Sequence, residues 1–128
     1  MDAHEVATVE AWHRLLNSGD VERLTALVDP NVEIGGPRGT SRGRDVFRAW
    51  FGRAGVELIP LRYFHKGRVV VAEEDGRWHA PSGGGATGRG IVASVFTVDG
   101  DAITSIRRFD DLRTALVEAG LEASDAVE

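Results

Sequence analysis

The chain contains no cysteine. That absence removes disulfides, thiol nucleophiles and thiolate metal sites together, and it fits a reducing compartment. Lysine is nearly absent too: Lys66 stands alone, and the other basic side chains are arginines. Acidic residues outnumber basic ones, giving a formal net charge of −5. A dedicated nucleic-acid binder needs a net basic face, so no nucleic-acid partner is expected. No apolar run reaches the length of a bilayer, and no charged–apolar–small leader pattern opens the chain. The expectation is a soluble, cytoplasmic protein without a membrane partner. The histidines His4, His13, His65 and His79 lack the short spacings of metal ligands, so no metal and no cofactor are expected.

What is present is a chain of 128 residues with 42% hydrophobic content, enough for one packed domain. That domain is assigned to 1–121, with 122–128 as a frayed tail. Ile91 to Asp110 reads as two strands joined at a tight Asp99-Gly100 turn, since Asp-Gly supplies positive φ. Asp2 and Glu5 form an N-cap pair for a helix to about Asn17, with Val6, Val9, Trp12, His13, Leu15 and Leu16 on one broad face. Asp20 caps a short second helix that stops at Asp29-Pro30. Asn31 to Ile34 is a short strand, Gly35 to Gly43 a loop, and Arg44 to Ala54 a third helix. Strands follow at Val56 to His65, with a bulge or edge position at Pro60, and at Arg68 to Trp78. A Gly-rich loop then leads into the hairpin, and Asp110 or Asp111 caps a last helix, Leu112 to Ala119.

Helices segregated from a largely antiparallel sheet define an α+β fold. The strands are apolar on both parities, yet the helices cover only one face. Val69, Val71, Ile91, Ala93 and Val95 occupy the other, which predicts a homodimer through the outer sheet face. At the inner parity lie Trp12, Leu16, Ile34, Trp50, Val70, Ala72, Glu74, Val92, Ser94, Phe96, Ser105, Arg107 and Phe109.

The phrases Leu16-Asn17-Ser18-Gly19-Asp20, Asp29-Pro30-Asn31-Val32-Glu33, Arg42-Gly43-Arg44-Asp45-Val46, Val98-Asp99-Gly100-Asp101-Ala102-Ile103 and Phe109-Asp110-Asp111-Leu112 span nearly the whole domain. In this order they resemble the nuclear transport factor 2-like superfamily, which includes steroid Δ-isomerases, SnoaL-like polyketide cyclases and limonene epoxide hydrolase. The resemblance implies a cone: a curved, mostly antiparallel sheet wrapped around the N-terminal helix, a cystatin-like α+β barrel with a pocket inside. It also implies which catalytic groups are missing. Trp12 stands where the isomerases place an oxyanion-hole tyrosine, Ile34 where they place the general base, and Ser94 where they place a protonated acid. The hydrolase has an acid at this last position and another where Arg107 aligns. No steroid isomerase activity is therefore expected.

Glu74 and Arg107 form the sharpest pair: either Glu74 points into the cone, in register with Val70 and Ala72, or the strand frays there and Glu73, Glu74 and Asp75 all face solvent. A buried carboxylate must be paired or protonated, and a buried guanidinium needs an anion. His13 reads either as a core histidine or as a pocket-edge acid/base. The catalytic candidates are thus Glu74, His13, Ser94 and Arg107. The aromatic residues Trp12, Trp50, Phe96 and Phe109 either stack a planar ligand or fill the core. Arg38, Arg42, Arg44 and Arg48 read as a solvated face rather than an anion site, and Gly83 to Gly88 as a hairpin loop rather than a dinucleotide motif, because a strand follows it. Three functions fit: binding of a small apolar or partly anionic organic molecule; an isomerase, cyclase or dehydratase acting on a small hydrophobic carbonyl compound; or a dimerisation module with a filled cavity.

Overall fold

The computed structural model describes residues 3–36, 39–54, 56–78 and 88–127. The chain runs α1 (His4–Ser18), α2 (Val21–Ala26), β1 (Val28–Gly36), β2 (Gly39–Arg42), α3 (Arg44–Ala54), β3 (Val56–Lys66), β4 (Val69–Trp78), β5 (Gly88–Asp99), β6 (Ala102–Phe109) and α4 (Leu112–Ala119). The described strands form one sheet in the order β2-β1-β6-β5-β4-β3. Only β1 and β6 run parallel; the other pairs are antiparallel. The architecture is the α+β arrangement that the pattern of elements demands.

Helix α1 forms because Val6, Val9, Trp12, His13 and Leu16 recur at three- and four-residue intervals and bury one face. It ends where Gly19 turns left-handed (φ 78°) and its N–H reaches the carbonyls of Leu15 and Leu16. Asp2, the expected cap, lies outside the described residues, and Ala3 makes no side-chain cap. Asp20 and Asp111 do cap α2 and α4. Strand β1 is longer than the sequence suggests, and the expected Gly35–Gly43 loop contains β2. Pro30 is tolerated because the β1–β6 ladder is interrupted between Val28 and Glu33. Pro60 sits at a register shift in the edge strand β3, where its missing N–H costs little.

The concave face of the sheet packs on α1, α2 and α3. Val9, Trp12, Leu24, Phe47, Val70, Ala72, Phe96, Val98 and Ile103 form the centre of this core. The convex face holds a second core that the sequence assigned to a partner chain. Val71, Ala93 and Val95 are buried there by Phe64, Ala115 and Leu121, with Leu112, Leu116 and Phe109 around them. The cover is α4, whose Leu112, Ala115, Leu116 and Ala119 make one apolar stripe. Of the five residues assigned to a dimer face, Ile91 alone is largely exposed, at 51%. Leu121, the last residue assigned to the domain, is buried, and the described part of the tail expected to fray, 122–127, is docked: Phe64 bridges Ala126, and the Val127 N–H donates to the Tyr63 carbonyl at 2.8 Å.

One local irregularity changes the sidedness of β6. The turn between Asp99 and Ala102 places Gly100 at φ 63°, the positive value a two-residue hairpin loop requires at its first central position. Val98 then pairs with Ile103, but Thr97 pairs with Ser105, so Thr104 is an extra residue. A bulge of one residue sends every later side chain to the opposite face. Ile106 therefore joins Ile103 in the inner core, and Phe109 joins the outer one. Ser105, Arg107 and Phe109, expected inside the cone, pair with Thr97, Val95 and Ala93 on the convex side.

Candidate functional site

Three polar side chains meet inside the concave core. Glu74 comes from β4 and is 0% exposed, His13 from α1 is 1% exposed, and Ser94 from β5 is 2% exposed. The Ser94 hydroxyl donates to Glu74 Oε1 at 2.6 Å, and His13 Nε2 lies 2.5 Å from Glu74 Oε2. The other ring nitrogen, Nδ1, is 2.8 Å from the Val9 carbonyl one turn back in α1. A carbonyl can only accept, so Nδ1 carries a proton and its bond fixes the ring. Nε2 and Oε2 then share a single proton, because two bare lone pairs cannot approach this closely. The pair is either imidazolium and carboxylate or neutral imidazole and carboxylic acid, with no net charge in both cases.

Three aromatic rings pack edge-on against the imidazole. Trp12, Phe96 and Tyr63 meet it edge-on at centroid distances of 5.0, 5.6 and 5.8 Å. In such a medium each hydrogen bond gains strength and each missing one is costly. The Tyr63 hydroxyl stands 3.4 Å from Nδ1. Burial, with the charges of Glu10 and Glu74, pushes its ionisation well above that of a free phenol, and Arg14 only partly opposes them. Tyr63 thus keeps its proton throughout the physiological range.

Ser94 also lines a cavity of about 50 Å³, with Trp12, Ile34, Gly35, Phe47, Leu58, Ile106 and Arg108. Trp12, Ile34 and Ser94 are where the sequence placed them. Leu16, Val70, Ala72, Val92 and Phe96 face the same core without lining the cavity, and the Trp50 side chain lies outside the described residues. Arg107 does not approach Glu74. It lies over the Phe109 ring at 5.6 Å in an outer groove with Thr40, Asp111 and Thr114. The expected Glu74–Arg107 pair is replaced by Glu74–His13–Ser94, and Arg108 takes the cavity position because of the Thr104 bulge. The spacing of Ile103 and Ile106 was the available signal: three residues apart, both apolar, they share a face of a strand only across an extra residue. The indole N–H of Trp12 is buried and lacks a hydrogen-bond partner among the described residues.

The remaining polar clusters hold the fold. Arg42 pairs with Glu33 at 2.8 Å, and Arg44 donates twice to the Val28 carbonyl, tying α3 to β1. Arg38 lies outside the described residues, as do His79 and most of the Gly83–Gly88 loop. His4 bonds the Gly100 carbonyl, and His65 the Gly67 carbonyl. Among the described residues no three His, Asp or Glu side chains converge as a metal site, and no helix is long and apolar enough to cross a membrane.

A cone-shaped sheet around α1, with a polar cluster at its centre, defines the class. The chain belongs to the SnoaL-like domain family, which matches residues 9–106. A comparison with curated proteins found no match. Among solved structures it is similar to Bal32a, from a soil-derived mobile gene cassette, at 24% identity and TM-score 0.74, covering 82% of this chain and 87% of that one. It is similar to an epoxide hydrolase of M. tuberculosis at 20% identity and TM-score 0.74, covering 91% and 96%. A protein from Catenulispora acidiphila with a ketosteroid isomerase-like fold, in complex with trimethylamine, matches at 22% identity and TM-score 0.70, covering 91% and 95%. These likenesses establish a nuclear transport factor 2-like, ketosteroid isomerase-like fold.

Truncating one partner of the buried pair should be far costlier than neutralising it. Glu74→Ala strands His13 and Ser94 and should lose about 3 kcal/mol in urea denaturation. Glu74→Gln keeps an acceptor for Ser94 and a donor for Nε2, and should lose no more than about 1 kcal/mol. Equal losses for the two variants would contradict the hydrogen-bond chain.

Proposed function

We propose that the chain binds a small oxygen-bearing organic molecule head-first in the cone. The observation that carries this reading is the double role of Ser94, which forms part of the cavity wall and bonds the buried Glu74. Trp12, whose buried N–H has no hydrogen-bond partner among the described residues, and Arg108 are the other donor-bearing residues that line the cavity. The Ser94 proton is already given to Glu74, so its oxygen is left to accept. A carbonyl or carboxylate carrying a neighbouring hydroxyl matches this set. The cavity's 50 Å³ admits a head group, and is far below the roughly 300–1,000 Å³ of sites that enclose drug-sized ligands. That size, with Ile34 in place of a base, argues against steroid isomerisation. The trimethylamine held by the Catenulispora relative supports a small ligand without naming this one.

A second reading, proton-transfer chemistry on the same ligand, is favoured by the His13–Glu74 pair. A ligand hydroxyl bonded to Ser94 Oγ gives its proton to that oxygen as the Ser94 proton passes to Glu74 Oε1; His13 balances the charge. This is the general acid–base step of an isomerase or dehydratase acting on a small hydroxycarbonyl compound. Homodimerisation belongs to the same proposal, with a smaller footprint than the sequence implied. With Val71, Ala93 and Val95 under α4, the exposed Ile59, Leu61 and Ile91 remain, beside the Asp75–Arg89 pair at 2.9 Å. Sedimentation of a monomer at micromolar concentration would remove it.

The binding claim is tested by saturation-transfer NMR and thermal shifts with hydroxyketones and 2-hydroxyacids of three to five carbons. Arg108→Met should weaken the best of these at least about tenfold, the loss of one charge-assisted hydrogen bond. Arg107→Met, on the outer face, should change it by less than about twofold. Equal effects, or no binding by any member of the panel, would overturn the reading.

A further inference from the structure

His13 borders a second opening that the ligand cavity does not share. Between α1 and β3 lies a cleft of about 320 Å³ lined by Glu10, His13, Arg14, Asn17, Pro60 and Tyr63. None of these residues lines the cavity behind Ser94. The hydrogen-bonded chain therefore runs from one void to another: Ser94 at the cavity, Glu74 buried in the middle, His13 at the cleft. The cleft has room for ~10 waters at roughly 30 Å³ each.

We propose that this cleft is the port through which the buried pair exchanges its proton with solvent, and that Tyr63 is the residue that positions His13 for the exchange. The proposal rests on the reading of the cone as a ligand site, and gives that site separate entries for ligand and proton. The proton shared with Glu74 settles on Nε2, the Nδ1 proton leaves to an oxygen in the cleft, and the pair is left as carboxylate and neutral imidazole with one proton fewer. The bare Nδ1 lone pair then faces the Val9 carbonyl at 2.8 Å, which is repulsive. Among the described residues the Tyr63 hydroxyl, 3.4 Å from Nδ1, is the donor placed to cover it. Burial keeps that hydroxyl protonated and available. The charged and titratable groups facing His13 are Glu74 from β4, Tyr63 from β3, and Glu10 and Arg14 from α1 at the cleft. Glu10 and Arg14 are exposed, so the charge at the port can be altered without touching the core.

The test needs no ligand. Exchange of the His13 ring protons with water is measured by NMR on ¹⁵N-histidine-labelled protein, with acetate as the added general base. Tyr63→Phe keeps the ring and loses only the hydroxyl; it should slow exchange about tenfold or more. Ile34→Phe, which fills the ligand cavity, should leave exchange within about twofold. Glu10→Arg, at an exposed position, should speed the acetate-catalysed rate several-fold by drawing the anion into the cleft. Slowed exchange in Ile34→Phe, or an unchanged rate in Tyr63→Phe or Glu10→Arg, would overturn the proposal. Because no cone ligand is present, such a failure leaves the binding reading intact. A failed Arg108→Met comparison likewise leaves the port standing.

Discussion

A carboxyl group in the middle of an apolar sheet face must have both oxygens satisfied, or the sheet cannot close over it. Glu74 meets that requirement by reaching two different elements, Ser94 on the neighbouring strand and His13 on the helix across the core. The constraint then propagates. His13 can serve only if its ring is held by Val9 and packed by Trp12, Phe96 and Tyr63. That fixes the rotation of α1 about its own axis and the depth at which it lies in the cone. Apolar burial alone leaves both of these loosely specified, since a broad hydrophobic face packs at several angles. The buried pair therefore gives register to the packing of helix on sheet, as a satisfied polar network does in other cores.

The same sheet is used differently on its two sides. The concave side is polar at one point and leaves a small void there. The convex side is closed by α4 and the C-terminal segment, which bury Val71, Ala93, Val95 and Leu121. The Thr104 bulge lets one strand serve both sides. It turns Ile106 and Arg108 toward the cavity and Phe109 toward α4. A single added residue thus decides which of two adjacent arginines lines the concave cavity.

How much of this was legible follows from which interactions are local. Alternation in β4 and β5 correctly put Glu74 and Ser94 on the concave side, because an unbroken strand keeps its parity over its whole length. The need for a partner at Glu74 was legible too, from the cost of a bare buried carboxyl. Its identity was not. His13 meets Glu74 across sixty-one positions of sequence, and the rotation of α1 that brings them together is a tertiary property. Arg107 was misplaced by counting through a bulge whose trace was the Ile103–Ile106 spacing. The covering of Val71, Ala93 and Val95 by α4 is a tertiary contact, and the apolar stripe of that helix does not by itself say which sheet face it closes.

The polar centre of the cone depends on the proton held between His13 and Glu74. Low-temperature ¹H NMR of ¹⁵N-histidine-labelled protein reads it directly. A proton shared in this way gives a resonance far downfield of the backbone amides, coupled to His13 Nε2 and shifted by Ser94→Ala, because loss of that hydroxyl makes Glu74 a stronger acceptor. A His13 Nε2 signal at the position of a free, solvent-exposed imidazole, indifferent to Ser94→Ala, would contradict it.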